Sequence, residues 1–183
     1  DIDRLAADVK VGADGLFYLP YLMGERTPHF DSDARGVFLG ISASHKEDNF
    51  MRAVLEGVAF SLRDCLEILR ELNIPVAQMI AAGGGAKSEL WRSITSGVFN
   101  VPLAVIPKIG GSEAAFGAAI IAGAAAGAYS SIESACETLC KSSEAPMPEN
   151  VQSYEKLYGI YRSIYPNLKD VFKASADVNA TLD

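Results

Sequence analysis

The stretch Ala81–Trp91, AAGGGAKSELW, holds the residues most suggestive of chemistry in this chain. Three glycines followed by Lys-Ser resemble a phosphate-binding loop. The P-loop pattern, however, requires glycine directly before the lysine and another five positions earlier. Ala86 and Ala81 stand there instead. The dinucleotide pattern G-x-G-x-x-G fails as well, because Ser88 occupies the third glycine position. A glycine run at the carboxyl end of a strand nevertheless lets a ligand approach the main chain closely. The helix that follows offers free N–H groups and the positive end of its dipole. We therefore expect Gly83, Gly84 and Gly85 to bind a ligand rather than merely turn the chain. Lys87 is more readily a solvated side chain than a phosphate contact, and Trp91 is expected in the core in preference to a ligand wall.

Other candidates are weaker. Gly110-Gly111 before Glu113 is a second strand-to-helix turn, read first as a packing device. Cys136 and Cys140 lie one helical turn apart, but His29 and His45 are each alone in their segments, so no zinc site is expected. Asp14, Asp31 and Asp33 read as solvated loop acids. Three cysteines in helical patterns suggest reduced thiols and a cytoplasmic protein.

The elements that must position these residues follow from periodicity and punctuation. Leu16–Pro20 reads as a strand running into the loop MGERTPHFDSDARG, and Gly36–Ile41 as a second strand buried on both faces. Ser44 and Glu47 form a capping box for a long helix. Its apolar stripe is Phe50, Val54, Val58, Leu62, Leu66 and Leu69, and Asn73 and Pro75 end it. Val76–Ala82 is a strand entering the glycines. Ser88 caps a helix closed near Asn100, Pro102–Pro107 is another strand, and an Ala-rich helix starts at Glu113. Ile132–Cys140 and Val151–Tyr165 are further helices, with Pro166 stopping or kinking the second. Residues 174–183 read as a polar, disordered tail after a domain spanning 1–173. The two strand-helix units between residues 76 and 126 predict an α/β domain with parallel pairing.

Composition narrows the partners. The 183 residues are 49% hydrophobic and 21% charged, with a net charge of -7. No basic cluster supports nucleic-acid binding. The stretch Ala114–Ala128 is too short and too often interrupted by glycine to span a bilayer.

Four motifs in order, PYLMGERTPHFDSDARGVFLGIS, RAVLEGVAFSLRD, AAGGGAKSELWRSI and SEAAFGAAIIAG, resemble the C-terminal domain of the FGGY-family carbohydrate kinases. The run Gly24–His29 is similar to that of the family's xylulokinase branch. The resemblance implies an actin-like ATPase (ribonuclease H-like) fold of two domains around a cleft. It implies ATP with Mg2+ as cofactor and transfer of the γ-phosphate to D-xylulose, giving D-xylulose 5-phosphate, with the sugar held mainly by an N-terminal domain. Other family substrates (gluconate, glycerol, another ketose) remain alternatives, as does a non-catalytic adenine-nucleotide-binding module. A homodimer is compatible with the family.

Carried over residue by residue, Gly83, Gly84, Gly85, Ala86, Lys87 and Ser88 would face the adenosine part of ATP. Glu25 and Arg26 would make cleft or interdomain contacts, and Glu56 would brace a neighbouring loop. The family's Gly-Asp base and Gly-Thr-Ser-Gly phosphate loop are not in this chain. It is therefore expected to be the last part of a kinase, with no catalytic residue and no metal ligand of its own, and inactive alone.

Overall fold

The computed structural model describes residues 2–106, 113–143 and 145–182. Helix α1 (Ile2–Ala6) leads through a left-handed turn at Gly12 into β1 (Phe17–Leu19). Strand β2 (Val37–Leu39) pairs antiparallel with β1, Phe17 opposite Leu39. The 25-residue helix α2 (Glu47–Glu71) follows, then β3 (Met79–Ala81), α3 (Glu89–Phe99) and β4 (Leu103–Val105). β3 and β4 are parallel, Met79 opposite Leu103, as the short strand-helix spacing predicts. Helices α4 (Glu113–Ala125), α5 (Ile132–Leu139) and α6 (Val151–Asn179) complete the chain. The Gly110-Gly111 turn lies outside the described residues.

Helix α2 organises the rest. Ser44 does not cap it; its hydroxyl meets Ser42 Oγ at 3.1 Å. Asn49 performs the reciprocal half of the cap, its Oδ1 accepting the Lys46 N–H at 2.9 Å. The expected apolar stripe is only partly the buried face: Leu66 lies in the core and Phe50 and Val54 pack against it. Leu62 and Leu69 are exposed, whereas Arg52, Ala53, Glu56, Gly57, Phe60, Arg63 and Asp64 are buried. Charge can be buried here because it is paired and hydrogen-bonded. Arg52 Nε lies 2.8 Å from Glu56 Oε1 and its Nη2 donates to the Tyr154 hydroxyl at 3.0 Å. Both Glu56 oxygens accept the Gly12 N–H, at 3.0 and 3.1 Å, which braces the turn before β1 as expected. Arg63 donates to Glu67, Glu155 and the Val98 carbonyl, while its guanidinium sits 4.0 Å above the Tyr158 ring.

Three further expectations are corrected. β2 is not buried on both faces: Val37 and Phe38 are half-buried and Leu39 is 44% exposed, because the strand lies at the surface against β1. Pro166 sits inside α6 without ending it. Pro166 is exposed, and Tyr165 before it and Phe172 after it both pack in the core, which holds the helix in register across the missing N–H. The helix continues to Asn179, past the boundary expected at Ala174. The core itself is rich in tyrosine: Tyr154, Tyr158, Tyr161 and Tyr165 of α6 meet Phe60, Ile94, Val98 and Phe99 of α2 and α3.

The GERTP loop is tied to α6 by Asp31, whose Oδ2 accepts the Tyr165 hydroxyl at 2.7 Å. Thr27–Pro28 within it is a cis peptide.

Two outcomes follow from this packing. A Cβ at Gly57 would stand 2.2 Å from the Tyr18 carbonyl oxygen, whereas one at Gly159 meets nothing within 4 Å. Gly57→Ala should therefore cost about 1–3 kcal/mol in urea unfolding, and Gly159→Ala should stabilise α6 by about 0.5–1 kcal/mol. The Tyr165 hydroxyl above all, helped by the Asp33 and Ala34 N–H groups, holds the Asp31 carboxyl below its ordinary 3.8 against the opposing effect of burial. That stabilisation is present above pH 3.8 and is lost as pH falls through the lowered value. The melting-temperature gap between wild type and Asp31→Asn should shrink over that fall; a constant gap would remove Asp31 as the titrating anchor.

Candidate functional site

β3 delivers the chain to the glycine turn. Gly83 has a positive φ of 78°, in the region where only glycine is unstrained. Gly84 is right-handed helical, at φ -62°, and Gly85–Lys87 form a single 3₁₀ turn. Lys87 N–H donates to the Gly84 carbonyl at 3.2 Å and Ser88 N–H to that of Gly85 at 3.1 Å. Ser88 then caps α3 as its sequence position predicts, its Oγ accepting the Trp91 N–H at 2.9 Å. Arg92, one turn into α3, donates to the Ala86 carbonyl and so secures the exit of the turn.

The three glycines are not equivalent. A Cβ on Gly85 would meet the Trp91 ring at 3.1 Å, and Gly83 needs its φ. A Cβ on Gly84 would meet nothing within 4 Å, and its backbone suits any residue. Neither backbone strain nor crowding within this chain requires glycine at 84. Gly83, Gly84, Gly85 and Lys87 are all exposed; Ala86 and Ser88 are partly covered. The Lys87 side chain forms no ion pair among the described residues.

Beside the turn runs an apolar groove of about 290 Å3. Leu62, Cys65 and Leu69 of α2 form one side, Met79–Ala82 the second, and Trp91 and Thr95 of α3 the third. Trp91 is therefore a wall of this groove as well as a partner of Gly85, rather than a core residue. Thr95 Oγ1 is buried with no hydrogen-bond partner. The groove escaped sequence reading because its α2 side is the very stripe taken for core; the alternation of Leu62, Leu66 and Leu69 was visible, but not what it faces.

Glu25 and Arg26 lie on the GERTP loop and line a different hollow, with Met23 and Phe30. Glu25 is engaged within its own loop: its two oxygens accept the Thr27 and His29 N–H groups, each at 2.8 Å. Arg26 is exposed. The loop reaches the groove at one point, where the Cys65 thiol donates to the Thr27 carbonyl at 3.4 Å. Asp14, in the Gly12–Gly15 run, has a structural partner, its Oδ2 accepting from Asn49 Nδ2 at 2.9 Å. No group of three His, Cys, Asp or Glu among the described residues is placed to hold a metal, and no helix among them is long and apolar enough to cross a membrane.

Comparison with known proteins places this arrangement. Residues 2–126 match the C-terminal domain of the FGGY family of carbohydrate kinases. A xylulose kinase of Bacillus subtilis (strain 168) is 38% identical over 165 residues, which are 89% of this chain and 33% of the relative. A gluconokinase of the same organism is 33% identical over 178 residues, 96% of this chain and 34% of the relative. Among solved structures, a ligand-bound xylulose kinase from Lactobacillus acidophilus superposes with a TM-score of 0.85 at 28% identity, covering 95% of this chain and 35% of that one. The chain thus spans about a third of the length of the relatives it matches. The fold is the actin-like ATPase fold of those kinases, as its motifs imply. The chain belongs to the FGGY family of carbohydrate kinases, as part of its C-terminal domain.

Proposed function

We propose that this chain is the nucleotide-binding part of an ATP-dependent cytoplasmic kinase that phosphorylates D-xylulose at its 5-hydroxyl. The observation that carries the reading is Gly84. A residue with ordinary helical dihedrals and open space around its Cβ position has no folding reason to be glycine, so the missing side chain points to a ligand. The adenosine of ATP lies over Gly83–Gly85 and Ala86. The apolar groove takes the base, with Trp91 and the leucines of α2 as its walls. Ser88 and Arg92 hold the turn in place, Ser88 by capping α3 and Arg92 through the Ala86 carbonyl. Lys87 remains near the ligand without being asked to grip phosphate. Arg26 is the residue of the GERTP loop placed to contact another domain, with Glu25 shaping the loop from within.

The described residues contain no carboxylate cluster for magnesium. The ion would accompany the nucleotide phosphates and be held by parts of the kinase beyond these 183 residues, which would also supply the base for the sugar hydroxyl. This chain's own role is to bind and orient the nucleotide. Xylulose is favoured over gluconate by the several xylulose kinases at 35–40% identity, against 32–33% for the gluconokinases.

Gly84→Val in the whole enzyme should raise the KM for ATP by at least about tenfold, the cost of about 1.4 kcal/mol of binding. The melting temperature of the unliganded protein and the KM for xylulose should stay unchanged. An unchanged KM for ATP would reduce the glycine run to a turn.

A further inference from the structure

A second hollow, of about 280 Å3, opens on the opposite side of α2 from the groove and shares no lining residue with it. Its walls are aromatic: Tyr21 and His29 from the GERTP loop and its entry, Tyr158, Tyr161 and Tyr165 from α6. His29 stacks on Tyr165 with centroids 3.8 Å apart. Into this hollow reaches Asp64, which is only 8% exposed. The Tyr158 hydroxyl donates to its Oδ1 at 2.6 Å. Its Oδ2 has no hydrogen-bond partner and Asp64 forms no ion pair among the described residues.

That is an uncommon state for a carboxylate. The other buried one, Glu56, has Arg52 beside it. Desolvation pushes the Asp64 pKa up, with the Tyr158 hydroxyl first and then the charges of His29 and Arg162 opposing. The ionic groups around the hollow act on Asp64 at a distance and none pairs it directly. Glu67 is already matched by Arg63 and Arg70 at 3.0 and 2.6 Å, and Glu71 adds negative charge. His29 has its pKa lowered, first by burial, so it is neutral near pH 7. Arg162 alone is positive, and it lies beside Tyr158, its Cζ 5.9 Å from the ring centroid, without pairing Asp64. Aromatic walls and a carboxylate with one oxygen free of hydrogen bonds favour the same kind of guest, a cation that carries hydrogen-bond donors.

We propose that this hollow is a binding site for a small alkylguanidinium compound, its N–H groups on Asp64 Oδ2 and its alkyl stem against the tyrosine rings. A guest there would bridge the GERTP loop, α2 and α6 at once.

The test is titration of the full chain with methylguanidinium chloride at constant ionic strength, followed by calorimetry and tyrosine ring resonances. N-methylurea serves as a neutral analogue of matching shape. Saturable binding with a Kd of about 1–10 mM is expected, a range suited to so small a ligand, and N-methylurea should not bind. Asp64→Asn should weaken methylguanidinium by at least about tenfold while keeping the wild-type circular dichroism. The proposal is overturned by an absence of saturation, by equal binding of N-methylurea, or by undiminished binding in a folded Asp64→Asn. If that variant does not fold, the two ligands compared on wild type decide alone.

Discussion

The structure depends on the burial of charge along one face of α2. Arg52 and Glu56 bind each other and also reach outward, to Tyr154 on α6 and to the Gly12 N–H that sets up β1. Arg63, about two turns on from Glu56 as the next basic residue of this face, joins the Val98 carbonyl of α3 and Glu155 of α6. Three separate elements are thereby registered on a single helix by directional contacts. An apolar face would have supplied adhesion without fixing these positions so narrowly. Breaking one partner leaves the other charge stranded out of water, so the network is specific because its failures are costly.

This also explains what could be read from the sequence and what could not. While the bracing role of Glu56 comes with the family resemblance, the glycine turn, the Ser88 cap and the parallel β3–β4 pair follow from local chemistry that a string of letters displays directly. The buried face of α2 does not, because hydrophobic periodicity locates apolar residues and is silent about ion pairs that satisfy each other in the interior. Phe50, Val54, Leu62 and Leu69 repeat at helical spacing, yet two of them look outward. Pro166 misled for the opposite reason. Local propensity says that a helix should stop there, and the tertiary packing of Tyr165 and Phe172 on either side overrides it.

The candidate site shows the same division. Gly83, Gly84 and Gly85 were legible as a group, but only the structure separates the one that needs its left-handed backbone from the one that is merely bare. Glu25 was legible as a notable acid and not as a residue whose carboxylate is consumed by two N–H groups of its own loop. The family assignment rests on motifs spread over residues 2–126 and not on the glycine turn alone.

The contact between Cys65 and Thr27 has a practical consequence. Its thiol hydrogen is engaged by a carbonyl, and burial, with Glu25 and Asp64 nearby, pushes the thiol pKa up. A seated loop therefore keeps this sulfur sluggish toward alkylating reagents, since the thiolate is the reactive species. Lifting the loop would expose it and remove one of the carboxylates that suppress it. The rate of Cys65 alkylation, read by mass, thus reports whether the loop is seated against the groove.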